Sequence, residues 1–273
     1  MHFGVTLRLL RIDAGLSLRA LAQRVGVSSA YLSRVEHGVD SVPTPERLAD
    51  IARALGLSPT LLLELAHQVG PFVSRYLESV PAANVVFLDM ARRNLTGTQL
   101  ARVKAFIDAE FPRTTPEAGD SAASLSALIS PDRIIRDFIG SDITDVIDIA
   151  ASRLVPASSG LSASTLASRI RERESEASTA LGGGVAVPHA IIAGCSMAAA
   201  LVTLARPLDA PTPDGAPLRL LVVLISPEGG RQYLKALAQV ARLASHDVAE
   251  ELCKTRDLAE LRAVLAQLEA LWR

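Results

Sequence analysis

Leu18-Arg-Ala-Leu-Ala-Gln-Arg-Val-Gly-Val-Ser-Ser-Ala-Tyr-Leu-Ser-Arg-Val-Glu-His-Gly38 reads as two short helices hinged at Gly26. Glycine supplies the left-handed backbone that lets two such helices cross steeply. The second helix starts at Ser28, a natural N-cap. Burying Leu32 and Val35 turns Ser29, Ala30, Ser33 and Arg34 outward and leaves Tyr31 at the edge. A short polar helix that begins in a capped turn is what reading a DNA major groove requires, because its N-terminal side chains reach the base edges.

Outward from this stretch, residues 1–69 read as one compact all-helical unit. Helical periodicity places Leu7, Leu10, Leu18, Leu21, Ala22, Val25, Leu32, Val35, Leu48, Ile51, Ala52 and Leu55 inside. Ser17, Ser28, Thr44 and Ser58 are candidate N-caps, with Pro45 and Pro59 where a first-turn proline is tolerated. Residues 70–111 continue a helical pattern broken at Pro81 and at 94–98, and predict two or three helices extending the first domain. Phe106, Ile107 and Phe111 fall close together there. They are either a dimerisation face or ordinary core. Residues 112–124 are polar and proline-containing, a linker.

From 125 to 273 the texture changes to helices alternating with short apolar strands. Helices are expected at 142–155, 162–177, 230–245, 247–254 and 257–271, and strands at 133–138, 184–188, 196–205 and 217–225. The inner strands are nearly all apolar, as in a sheet covered on both faces, so an α/β sandwich follows. Two domains, each with its own core, suit a chain of 273 residues.

The formal charge of −1 excludes a generally basic nucleic-acid coat, and residues 1–69 carry seven arginines against six acids. Phosphate contacts dominate nonspecific affinity, so this mild charge leaves open a helical bundle that docks a partner instead of DNA. Cys195 and Cys253 show no metal or disulfide spacing and are expected as reduced thiols; no metal and no cofactor are implied. Residues 181–205 lack any charge, yet Gly182, Gly183, Gly184, Pro188 and Gly194 forbid a spanning helix of about 20 residues. A soluble, cytoplasmic chain without membrane insertion is expected.

A second constellation runs Arg173-Glu-Ser-Glu-Ala-Ser-Thr-Ala-Leu-Gly-Gly-Gly-Val-Ala-Val-Pro-His189. A rigid Pro-His step beside a glycine-rich loop presents an imidazole next to backbone N–H groups that can receive phosphate oxygens. A neutral imidazole is a competent nucleophile, and an arginine fork can neutralise a phosphoryl group. Glu174 and Glu176 are expected as surface charges at a helix end. His2, His37, His67 and His246 lie in no motif.

The first stretch resembles the XRE/lambda-repressor helix-turn-helix family, whose pattern s-x-x-x-L-A-x-x-x-G-V-S-x-x-x-[LI]-S-x-[IVL]-E-x-G is met from Ser17 to Gly38. The resemblance covers about residues 4–66. It implies double-stranded DNA as partner, a groove-facing set of Ser28, Ser29, Ala30, Tyr31, Ser33 and Arg34, and Ser17 and Gln23 near phosphates. It also implies a structural pair between Arg11 and Glu36.

The second stretch is similar to the type-2 EIIA domains of the sugar phosphotransferase system, the mannitol/fructose and nitrogen-regulatory class. Their pattern R-E-x-x-x-[ST]-T-x-[IL]-G-x-G-[VI]-A-[VI]-P-H runs here from Arg173 to His189. The resemblance implies His189 as phosphoryl acceptor, Arg173 as phosphate-binding side chain and Thr179 shaping the pocket, with a phospho-HPr-like donor as partner. Tyr233 stands where the family's second active-site histidine opens its H-[LI]-x-x-[LI] helix, and tyrosine cannot serve as a cation near neutral pH.

The expected molecule is therefore multidomain, an all-α helix-turn-helix domain followed by an α/β sandwich of EIIA type. Its expected role is a transcriptional regulator sensing phosphotransferase status at His189, working as a homodimer that matches two half-sites. Two alternatives stay open: an EIIA phosphocarrier, which is the most enzyme-like reading, or a regulator whose EIIA module binds without being phosphorylated.

Overall fold

A computed structural model describes residues 3–66, 71–111, 124–158, 160–244 and 248–272. His2, His67, His246 and nearly all of the expected linker lie outside the described residues.

Five helices open the chain: α1 (Phe3–Asp13), α2 (Leu18–Val25), α3 (Ser29–Glu36), α4 (Pro45–Ala54) and α5 (Pro59–Leu65). Local chemistry sets their ends. The hydroxyls of Ser17, Ser28 and Thr44 accept from the backbone N–H of Ala20, Tyr31 and Arg47, and Gly26 closes α2 at φ +73°. Ser58 precedes α5 without a side-chain cap bond. All the residues expected inside are buried except Leu18, which is partly buried against the same core. α1 lies across the end of α3 so closely that a Cβ on Gly4 would sit 2.2 Å from the Val35 carbonyl oxygen. Arg11 secures that crossing: its Nε and its terminal nitrogen donate to the two carboxylate oxygens of Glu36 at 2.6 and 2.9 Å.

Three more helices follow, α6 (Pro71–Ser79), α7 (Pro81–Arg92) and α8 (Gly97–Glu110). α8 starts in a reciprocal capping box between Thr96 and Gln99. No residue of α7 is buried, and Val85, Val86, Phe87 and Leu88 are all exposed, as are Phe106, Ile107 and Phe111 further on.

The rest of the chain is α9 (Leu125–Leu128), β1 (Ile134–Phe138), α10 (Ile143–Leu154), α11 (Ala163–Glu176), β2 (Ala180–Gly182), β3 (Val185–Ala186), β4 (His189–Ile191), β5 (Ala198–Leu208), β6 (Leu218–Ser226), α12 (Arg231–Leu243), α13 (Val248–Cys253) and α14 (Leu258–Trp272). The strands form one mixed sheet in the order β1-β5-β6-β3-β2, with β4 also paired to β6. Alternate residues of the central strands face opposite ways. Ala200, Val202, Leu221 and Val223 pack with Val146, Ile147, Leu166 and Ile170 of α10 and α11. Ala199, Leu201, Leu220 and Val222 share the other face with Leu234, Leu237 and Leu261 of α12 and α14. Both faces are covered, so the run of apolar side chains along β6 is explained.

The expectation of two separate cores needs correcting. The apolar residues of α1 to α5 belong to the same continuous cluster as the α12 face of the sheet. α1 and α5 pack on α12, while α8 packs against α14 rather than against the first five helices. The helical module and the sandwich are one packed body across this interface, since the ends of several elements bury apolar surface that neither side covers alone.

Candidate functional site

His189 is the first residue of β4 and lies opposite Leu224 on β6. The chain reaches it under tight control. Val187 N–H donates to the Thr179 carbonyl at 3.2 Å, and Leu224 N–H donates to the Pro188 carbonyl at 3.0 Å. The ring is 1% exposed. Its Nδ1 sits 2.7 Å from the Val187 carbonyl oxygen, an acceptor only, so Nδ1 carries the proton in that bond. The other nitrogen, Nε2, faces a cavity of about 190 Å³ lined by Asp13, Arg169, Glu172, Arg173, Glu176 and Tyr233. A larger cleft of about 710 Å³ between α1 and the segment 177–180 reaches Arg173 but not His189. The smaller one is where His189, Arg173 and Tyr233 meet.

Arg173, in the last turn of α11, points its guanidinium into this cavity, and Arg169 stands one helical turn earlier on the same face. Thr179 does not line the cavity. It is buried, and its N–H and hydroxyl both donate to Glu174, at 3.0 and 2.5 Å. Glu174 was expected at the surface. Instead it turns inward and ties the end of α11 to Thr179, just before β2. Burial pushes its carboxyl above the ordinary range, against the Thr179 hydrogen bonds and the charges of His189 and Arg173, which pull it down.

Tyr233, in the first turn of α12, is 1% exposed, and its ring meets the His189 ring edge-on at 5.9 Å. Its hydroxyl has no partner among the described residues. Burial pushes that hydroxyl well above its ordinary range, and the nearby Asp13 charge adds to the effect. Both effects favour the neutral phenol.

The structure thus brings His189, Arg173 and Tyr233 together and sets Thr179 one step behind them. Asp13, the last residue of α1, was not anticipated. Its Oδ1 lies 3.2 Å from His189 Nε2 and 3.3 Å from an Arg173 terminal nitrogen. Arg169 was also missed, although its i−4 spacing from Arg173 is visible in the sequence. The glycine loop does not cradle this cavity as expected: Gly183 N–H donates to Asp214 at 2.7 Å, and the loop turns between β2 and β3 outside the lining.

In the helical module, Gln23, Ser28, Ala30 and Arg34 are exposed along α2 and α3, with Ser17 exposed before α2. Ser29 and Ser33 are half-buried. Tyr31, expected at the edge, packs partly against the core. Arg34 pairs with Asp40 at 3.0 Å while keeping half of its side chain in solvent. The hydroxyls of Ser17 and Ser28 accept from the helix backbone, so toward a ligand they are left as donors. Among the described residues no cluster of His, Cys, Asp and Glu could hold a metal ion, and no helix is long and apolar enough to cross a membrane.

Residues 2–65 match a helix-turn-helix domain family, and residues 127–268 match the phosphoenolpyruvate-dependent sugar phosphotransferase system EIIA 2 family. A nitrogen regulatory protein of Bradyrhizobium diazoefficiens is 41% identical over 98 residues, which span 35% of this chain and 64% of that protein. The chain therefore covers somewhat less than two thirds of that relative. A nitrogen regulatory protein of Pseudomonas aeruginosa is 31% identical over 131 residues, 47% of this chain and 85% of that one. An uncharacterised HTH-type transcriptional regulator of Mycobacterium tuberculosis is 44% identical over 59 residues, 22% of this chain and 41% of its own. Among solved structures, the nitrogen regulatory protein IIA-Ntr of Neisseria meningitidis is 27% identical with a TM-score of 0.48, covering 52% of this chain and 98% of that one. Because the second match spans more than half of the chain, the protein belongs, over residues 127–268, to the phosphoenolpyruvate-dependent sugar phosphotransferase system EIIA 2 family.

Proposed function

We propose that the protein is a cytoplasmic transcriptional regulator that binds duplex DNA through α3 and is controlled by phosphorylation of His189. One observation carries the reading. His189 Nε2, with Nδ1 held as N–H by the Val187 carbonyl, faces a cavity with two arginines, in the same chain as a helix-turn-helix whose Ser28, Ala30 and Arg34 stand exposed. In the Nδ1–H tautomer the lone pair of Nε2 is the nucleophile. Arg173 and Arg169 would neutralise a phosphoryl group delivered there by a phospho-HPr-like donor. Thr179 acts through Glu174 to fix the strand and is a positioning residue. Ser28, Ser29, Ala30, Tyr31, Ser33 and Arg34 would meet the groove, with Ser17 and Gln23 near phosphates. Two-fold assembly matches paired half-sites, and the exposed apolar side chains of α7 and α8 are the surface we assign to it.

Intact-mass analysis after incubation with phosphoenolpyruvate, enzyme I and HPr tests the chemistry. Wild type should gain a phosphoryl group slowly, His189→Ala none, and Tyr233→His should gain it faster. A second reading, a binding module that is never phosphorylated, is favoured by the neutral, buried Tyr233 hydroxyl. It prevails if wild type stays unlabelled while Tyr233→His is labelled. Operator affinity unchanged by labelling would remove the sensing role while leaving the chemistry.

A further inference from the structure

Asp13 sits where an acid has little reason to be. It is the last residue of α1, and a negative charge at a helix C-terminus opposes the helix dipole. Its side chain is only 5% exposed. A buried carboxylate is tolerated when it is paired, and among the described residues the partners of this one are His189 Nε2 and Arg173, both through Oδ1. The second oxygen, Oδ2, has no partner among the described residues, and neither does the hydroxyl of Tyr233, which lines the same cavity. Asp13 is thus an anion from the helical module seated on the nucleophile and the cation that a phosphoryl group needs.

We infer that Asp13 is an internal stand-in for phosphate: its carboxylate latches the DNA-binding module onto the unphosphorylated sandwich, and phosphorylation of His189 expels it. The inference rests on the phosphorylation proposed above and supplies its coupling. Occupancy of Nε2 is exclusive. With Nδ1–H given to Val187, a bond from Nε2 to Asp13 requires a proton on Nε2, whereas phosphoryl acceptance requires its lone pair. That proton is first released to water. The lone pair of Nε2 then forms a bond to phosphorus as the nitrogen–phosphorus bond of the donor phosphohistidine breaks, its electron pair returning to the donor ring. The Nδ1 proton stays with the Val187 carbonyl. The product places a phosphoryl group of about two negative charges where the Asp13 carboxylate lay, in a buried site where like charges repel strongly.

What Asp13 holds is the whole module. Arg11, two residues earlier, is bonded to Glu36 at the end of α3, so the end of α1 cannot move without carrying the groove-reading helix along. α1 and α5 both pack on α12, the helix that supplies Tyr233, and Glu64 of α5 is ion-paired with Arg242 of α12. Expelling Asp13 therefore pushes on the surface that fixes the helical module to the sandwich. Linkage makes the effect reciprocal at equilibrium: the latch weakens the site's affinity for phosphate by the factor by which bound phosphate weakens the latch, roughly 5–150-fold for typical coupled sites.

The test uses the full chain and the near-isosteric Asp13→Asn, with Asp13→Ala as the second variant. Removing the internal anion should create an external anion site. Inorganic phosphate, followed through the His189 ring resonances, should bind Asp13→Asn at least roughly tenfold more tightly than wild type, the scale set by typical coupling. A residue that merely stabilised the interface would not have this effect. Labelling by phosphoramidate, a donor too small to need a docking surface, should be faster in both variants by a similar factor. Equal phosphate affinity in Asp13→Asn and wild type would overturn the latch, whether or not His189 is ever labelled. Failure of wild type and Asp13→Ala to be labelled by any donor, with the phosphate site present in Asp13→Asn, would instead overturn phosphorylation and leave Asp13 as a fixed tether.

Discussion

Replacing Arg11 with alanine is the sharpest test of how α1 is held. Glu36 has a side chain only 2% exposed, and both of its oxygens rest on Arg11, at 2.6 and 2.9 Å. Arg11 also donates to the Leu16 carbonyl at 2.9 Å, which fixes the turn leading into α2. Without the guanidinium the carboxylate stays buried with no counter-charge. Breaking one side of such a pair costs about 3–5 kcal/mol. The lost Leu16 bond adds about 1 kcal/mol. Against a usual domain stability of about 5–15 kcal/mol, the variant should lose about a quarter or more of its margin. Guanidinium unfolding at neutral pH measures this directly. The double variant Arg11→Met with Glu36→Leu should recover to within about 2 kcal/mol of wild type, because replacing both partners removes the stranded charge. A loss below about 1 kcal/mol in Arg11→Ala, the scale of a surface pair, would mean that Glu36 finds water or another donor and that the pair does not order the crossing.

Three further outcomes follow from the site. Tyr233→Phe removes a buried hydroxyl without a partner, so thermal unfolding should show unchanged or slightly higher stability, by up to about 1 kcal/mol, with the labelling rate of His189 unaltered. Glu174 has a carboxyl raised above its value of 4.5 in the unfolded chain, so the folded state binds more protons between the two values. Its contribution to stability therefore falls as pH rises through that window and is constant above it; Glu174→Gln should flatten a urea-midpoint series in that range, and an unchanged slope would show the charge to be solvated. Arg34→Ala should weaken operator binding with circular dichroism unchanged, because the side chain is half exposed and its pair with Asp40 is at the surface. Full affinity in that variant would move the reading helix elsewhere.

The features legible in the sequence were those fixed by neighbours. Ser17, Ser28 and Thr44 cap because a cap bonds to a residue three positions on, and Gly26 turns because no side chain stands in the way. The Arg173-to-His189 string could be read as one site because a single helix, turn and hairpin carry it. Tyr233 was placed only by its resemblance to a family position. Local pattern failed where the partner is remote. Asp13 lies 160 and 176 residues from Arg173 and His189, and no periodicity predicts such a meeting. One trace was present: Asp13 stands three and four residues after Leu10 and Leu9, on the buried stripe of α1, where an acid is out of place. Glu174 was misread because a helix-end acid is usually solvated, and only the fold shows that Thr179 curls back beneath it. The short strands β2 and β4 left no alternation to detect.

α5 carries buried leucines at 61, 62, 63 and 65, which leaves it almost no solvent side. A helix enclosed in this way belongs to both of its neighbours. Exchanging this helical module for another by splicing at residues 112–124 would therefore fail, since the incoming bundle would lack the leucine face that fits α12. The seam has to be matched residue for residue, and the two halves are expected to change together in descendants of this chain or not at all.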